Sequence, residues 1–137
     1  VNEFRIDIEG VQTHGSTPWS GIDPIVTASQ MINSIQTIVS RNMPLTKAAA
    51  VVTIGSIHGG VRSNIIPESL YMLGTIRTLD EGMKKIVLKR LEEIVSSIAK
   101  ANNAIAKITY QVSYPITFND PGLYEEMLPS LKRINGL

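Results

Sequence analysis

The chain has 137 residues, 43% of them hydrophobic, a formal net charge of +1 and no cysteine. That length and apolar share suit one compact domain without disulfides or thiolate metal sites. The near-neutral charge gives no reason to expect nucleic acid or an anionic membrane as partner. The lack of cysteine leaves the compartment open. No apolar run reaches transmembrane length, and the polar start Val1-Asn2-Glu3 does not read as a signal peptide.

Residues 3–9 alternate, with Phe4, Ile6 and Ile8 against Arg5, Asp7 and Glu9, which predicts a half-buried strand. A flexible loop rich in Gly, Thr, Ser and Pro follows to Gly21. Asp23-Pro24 then reads as an N-cap with proline at the first helical position. Ile25, Ala28, Ile32, Ile35 and Val39 recur at helical spacing and predict a helix over 24–41. The uncharged, partly β-branched run 48–57 predicts a second strand, and 58–67 a loop opened by Gly59-Gly60. A third strand is expected at 69–78. Asp80 then caps a second helix over 81–101, with the stripe Met83, Val87, Leu91, Ile94 and Ile98, and Asn102-Asn103 stops it. Residues 104–114 alternate again, with Ala104, Ala106, Ile108, Tyr110, Val112 and Tyr114 on the apolar side.

The order βαββαβ predicts an α+β fold of the ferredoxin-like kind: a four-stranded antiparallel sheet with both helices on one face. Residues 1–117 account for that sandwich. Residues 118–137, a polar turn at 119–122 and a short helical stretch over 123–134, have no place in it. The second strand falls at a sheet edge in this order. Nothing in 48–57 reads as an edge-protecting charge, proline or bulge, which predicts a homodimer through this strand and the first helix.

Few residues offer chemistry. There are two histidines, His14 and His58, and neither has a carboxylate or histidine at metal-ligand spacing. No His-Glu-x-x-His, Gly-x-Ser-x-Gly or Walker pattern is present. His14, in Thr13-His14-Gly15-Ser16, is either a presented imidazole or a solvated loop residue. Gly60 belongs to a glycine pair that permits unusual backbone or makes an ordinary turn, and Asn64 beyond it is a ligand contact or a local backbone cap. Arg77, near the end of a neutral strand, suits bidentate capture of a carboxylate or a surface ion pair. His58 reads as a solvated loop residue.

Together these segments resemble a known family. Gly10-Val11-Gln12-Thr13-His14-Gly15-Ser16-Thr17-Pro18-Trp19-Ser20-Gly21-Ile22-Asp23-Pro24 is similar to the hallmark of the zinc metallopeptidases that include aminoacylase, carboxypeptidase G, hippurate hydrolase and indoleacetyl-amino-acid hydrolase. Gly59-Gly60-Val61-Arg62-Ser63-Asn64-Ile65-Ile66-Pro67 looks like the second signature, and Gly74-Thr75-Ile76-Arg77-Thr78 the third. Tyr114 to Pro121 resembles the point where that family's chain re-enters its catalytic domain. His14-Gly15, Pro18-Trp19 and Ser63-Asn64 are most similar to the amidohydrolase branch. Val11 departs from the basic residue that many members carry.

The resemblance implies a dimerisation (lid) domain, with 118–137 as the start of the return into a catalytic domain that lies outside this chain. It implies two divalent metal ions, zinc by analogy, in that other domain and no cofactor in this one. The substrate would be a small-molecule N-acyl amino acid or peptide. His14 would donate to the scissile carbonyl oxygen, often in the partner subunit's site. Gly60, Asn64 and Arg77 would contact substrate, with Arg77 on its carboxylate. The rival class is a free-standing ferredoxin-like module, either a small-ligand regulator or a purely structural dimer unit. An RNA reader is disfavoured, because the expected open face carries Arg5, Asp7, Glu9, Lys107, Thr109 and Gln111 and no aromatic.

Overall fold

The computed structural model describes residues 2–135, without the side chains of Val112, Ser113 and Asn135. In chain order the elements are β1 (Asn2–Glu9), β2 (Thr13–His14), α1 (Pro24–Asn42), β3 (Ala50–Gly59), β4 (Ile65–Ile66), β5 (Ser69–Thr78), α2 (Glu81–Ala101), β6 (Ile105–Ser113) and α3 (Pro121–Asn135). The long strands form one antiparallel sheet in the order β3-β5-β1-β6. This is the expected four-stranded sandwich, with β3 at one edge.

The alternation of β1 decides which face is buried. Phe4, Ile6 and Ile8 point inward beside Met72 and Leu70 of β5 and Ile108 and Ala106 of β6. α1 packs over the β3 side, α2 over the β6 side, and the two helices pack on each other. Met31, Ile35, Ile38, Val87 and Leu91 close the core between helices and sheet. Side chains of this size contribute about 1.5–3 kcal/mol each when fully buried.

Both helix starts follow the expected chemistry. Asp23 Oδ1 accepts from the Ile25 and Val26 N–H groups at 2.8 and 3.2 Å, with Pro24 leading the helix. Asp80 accepts from the Met83 N–H at 2.8 Å and pairs with Lys47 at 2.7 Å. The Lys47 ammonium, then that N–H, hold the Asp80 carboxyl below its ordinary range. Asn103, at φ +56°, takes the left-handed conformation that ends α2.

Several expectations are corrected. The buried stripe of α1 is Thr27, Ala28, Met31, Ile35 and Ile38, with Ile32 and Val39 at its margin. Ile25 is 48% exposed, because the helix presents the 27/31/38 row to the sheet. β3 runs on to Gly59, which places His58 in a strand rather than a loop. It also contains a bulge: the register passes from Ile54↔Gly74 to Ser56↔Leu73, leaving Gly55 unpaired. The edge therefore has one of the protective features that its composition did not reveal. Tyr114 lies beyond β6 and is 63% exposed, so it is not part of the core, and the expected inward position of Val112 lies outside the described side chains. The last helix begins at Pro121, two residues earlier than expected, and residues 136 and 137 of the segment 118–137 lie outside the described residues. Along α3, Leu123, Tyr124, Met127, Leu131 and Ile134 are exposed. Among the described residues no helix is long and apolar enough to cross a membrane.

Candidate functional site

The two loops that carry His14 and Asn64 meet. β2 and β4 pair antiparallel, with Thr13 opposite Ile66 and His14 opposite Ile65. The Gly15 N–H donates to the Asn64 carbonyl at 2.8 Å. A Cβ on Gly15 would lie 3.3 Å from the Asn64 backbone, so glycine allows this approach. The His14 loop is pinned rather than flexible. Val11 and Ile22 exchange N–H···O bonds of 3.0 Å at its base, and Gly10 donates to Glu68 at 2.8 Å. Within it the Thr17 N–H donates to the His14 carbonyl at 2.9 Å, closing a tight turn.

His14 is exposed at the tip of this turn, and its Nδ1 lies 2.7 Å from the Ser16 Oγ and 3.1 Å from the Ser16 N–H nitrogen. Asn64 is exposed, and its side-chain amide makes no hydrogen bond among the described residues; its carbonyl holds the partner loop instead. Gly60 sits at φ +81°, a conformation that other residues adopt at a cost, and it opens the Asn64 loop. Trp19 and Val61, in these same loops, are 80% and 94% exposed.

Arg77 is elsewhere. It stands near the far end of β5, in register with Val51 of β3, whereas the His14 and Asn64 loops adjoin the Gly59 end. Eight residue steps of strand separate Val51 from Gly59, about 26 Å at about 3.3 Å per step. The Arg77 guanidinium is exposed, donates to the Ile76 carbonyl at 3.2 Å, and makes no ion pair among the described residues. The structure thus brings His14, Asn64 and Gly60 to one end of the sheet and leaves Arg77 at the other.

The open face of the sheet differs from expectation. Tyr71, in register with Asp7, lies on it; the Arg5 guanidinium covers the ring at 3.6 Å and His58 stacks on it at 4.8 Å. Arg5 is also paired with Asp7 at 2.6 Å, which favours its charged form. Tyr71 escaped notice because the faces of the 69–78 strand follow only from its pairing with β1. A depression of about 720 Å³ on this face is lined by Arg5, His58, Gly60, Tyr71 and Lys107, and by neither His14, Asn64 nor Arg77. Among the described residues no three His, Cys, Asp or Glu side chains gather as metal ligands.

Comparison with known proteins agrees with the fold. Residues 1–103 match the family model of the peptidase dimerisation domain. The chain is 41% identical over 129 residues to an N-acetyldiaminopimelate deacetylase of Bacillus velezensis, covering 93% of this chain and 34% of that protein. It is 36% identical to thermostable carboxypeptidase 2 of Saccharolobus solfataricus, covering 96% and 34%. A candidate aminohydrolase from methicillin resistant Staphylococcus aureus superposes with a TM-score of 0.85 at 30% identity, over 96% of this chain and 33% of that one. The chain therefore spans about a third of the length of the relatives it matches. It belongs to the peptidase dimerisation domain family.

Proposed function

We propose that this chain is the dimerisation and substrate-capping part of a metal-dependent amidohydrolase or peptidase acting on N-acyl amino acids or small peptides, and that it is inactive alone. The deacetylase and carboxypeptidase among its relatives share amide-bond cleavage as their reaction. In this proposal the two divalent metals, zinc by resemblance, belong to a catalytic domain supplied by the longer protein. Residues 118–137 lead back into that domain, and the exposed apolar row of α3 docks there.

One observation carries the proposal: His14 and Asn64 stand at one end of an uncharged sheet edge and Arg77 at the other. α1 has Arg41 as its one charged residue and β3 has none. α2, on the other side, carries Glu81, Lys84, Lys85, Lys89, Arg90, Glu92, Glu93 and Lys100. Depletion of charge is what interface cores show. If two β3 edges pair antiparallel about a two-fold axis, the Gly59 end of one strand lies beside the Ala50 end of the other. The two-fold then brings His14 and Asn64 of one subunit toward the partner's Arg77. Distant within one chain, the groups form one site between two chains.

In that site Arg77 holds the substrate carboxylate, Asn64 and the Gly60 backbone contact the substrate, and the His14 imidazole donates to the scissile carbonyl oxygen as negative charge develops on it. His14→Ala in the full-length enzyme is expected to lower kcat by about 10²–10³-fold with a smaller change in KM. Turnover assays with circular dichroism and metal analysis on the same samples test this. An unchanged kcat contradicts it.

A further inference from the structure

We infer that Ser16 is a positioning residue that fixes the tautomer of His14, keeping Nδ1 as an acceptor and placing the ring proton on Nε2. Ser16 meets the same ring nitrogen twice, through its backbone N–H at 3.1 Å and its hydroxyl oxygen at 2.7 Å. A backbone N–H only donates, so Nδ1 must offer its lone pair, and a proton there would face another proton. A neutral imidazole carries one N–H, and this arrangement leaves Nε2 to bear it. The Ser16 hydroxyl turns freely about its own bond and donates to the same lone pair.

The turn beneath the ring makes this a built contact. The His14 carbonyl accepts from the Thr17 N–H at 2.9 Å and from the Thr17 hydroxyl at 3.2 Å, and Gly15 is tied to Asn64. Four residues from His14 to Thr17 thus fold into one cycle with the Ser16 N–H under the imidazole. Nε2 makes no hydrogen bond among the described residues and is free to donate to a ligand.

The functional consequence rests on the proposed role of His14 as a donor. The Nε2–H tautomer presents a proton to a carbonyl oxygen, whereas the other tautomer presents a lone pair and repels it. Ser16 need not touch the substrate; it acts through the ring.

The test is spectroscopic and involves no turnover, so its failure leaves the proposed role of His14 standing, and a silent His14→Ala leaves the tautomer assignment standing. The ¹⁵N-labelled chain is studied by long-range ¹H–¹⁵N correlation at a pH where imidazole is neutral. The expected result is an acceptor-type Nδ1 and a protonated Nε2 for His14, with a coupling across the hydrogen bond between the Ser16 amide nitrogen and Nδ1. Ser16→Ala retains the N–H and is expected to keep the coupling while the minor tautomer grows several-fold; Ser16→Thr restores the wild-type pattern. The His58 signals, unchanged throughout, report that the fold is kept. A protonated or averaged Nδ1 without coupling in the wild type overturns the inference. A tautomer ratio identical in wild type and Ser16→Ala overturns it as well.

Discussion

Gly74 shows how one residue of a motif serves the fold rather than the chemistry. A Cβ at this position would lie 2.3 Å from Phe4 Cζ and 2.6 Å from the Thr53 carbonyl oxygen. The Phe4 ring, 1% exposed, lies across the glycine in register with it. Gly74→Val is expected to destabilise the chain by about 1–3 kcal/mol through overpacking, read as a lower urea midpoint. An unchanged midpoint contradicts this account of the third signature. Tyr110 gives a pH signature of the same packing. Burial first, then the Glu92 carboxylate 3.4 Å from its hydroxyl, push the phenol up to about 12. The unfolded phenol titrates at about 10, so this contribution is intact below pH 10 and is lost as pH rises from about 10 through about 12. The urea midpoint of the wild type should fall more steeply across that window than that of Tyr110→Phe. Parallel curves contradict it. Neither Gly74 nor Tyr110 was legible in this detail, because both depend on what the neighbouring strand places opposite them.

The long elements were legible because each has a periodic face to bury. β1 and α2 show it most plainly, with Phe4, Ile6 and Ile8 at period two and Met83, Val87 and Leu91 at helical spacing. The pairing of β2 with β4 was not, since two residues per strand carry no period, and their meeting depends on Gly15 and on the Val11–Ile22 contact across a gap in sequence. Gly55 likewise gave no sign that it is the bulge residue of β3. Ahead of that bulge the strand alternates: Val52, 6% exposed, faces the core, while Val51 is 51% exposed and Thr53 shares its outer face. Thr53→Lys leaves the core intact and adds charge to the proposed interface. Light scattering of the chain at tens of micromolar should give a dimer for the wild type and a monomer for Thr53→Lys, if the edge forms an interface of about 1,200–2,000 Å². Equal masses for the two contradict pairing through β3.

At the scale of the whole molecule, the family and the sandwich were legible in the motifs and their order, and the resemblance already implied a role for His14 in the partner subunit's site, whereas the place of Arg77 at the opposite end of the edge was not legible. His14, Asn64 and Arg77 read as one set in the sequence, yet the fold separates them along the β3 edge. In the proposed two-fold assembly they meet again, and on that proposal dimerisation is a condition of catalysis rather than an added source of stability. The most direct measurement mixes full-length enzyme carrying His14→Ala with enzyme carrying Arg77→Ala, after subunit exchange has been verified. If His14 of one subunit works with the partner's Arg77, each mixed dimer holds one site with both defects and one site with neither. Two nearly inactive proteins should then regain about a quarter of wild-type activity in an equimolar, fully exchanged mixture. No recovery in an exchanged mixture would contradict the shared site and return His14 and Arg77 to separate roles.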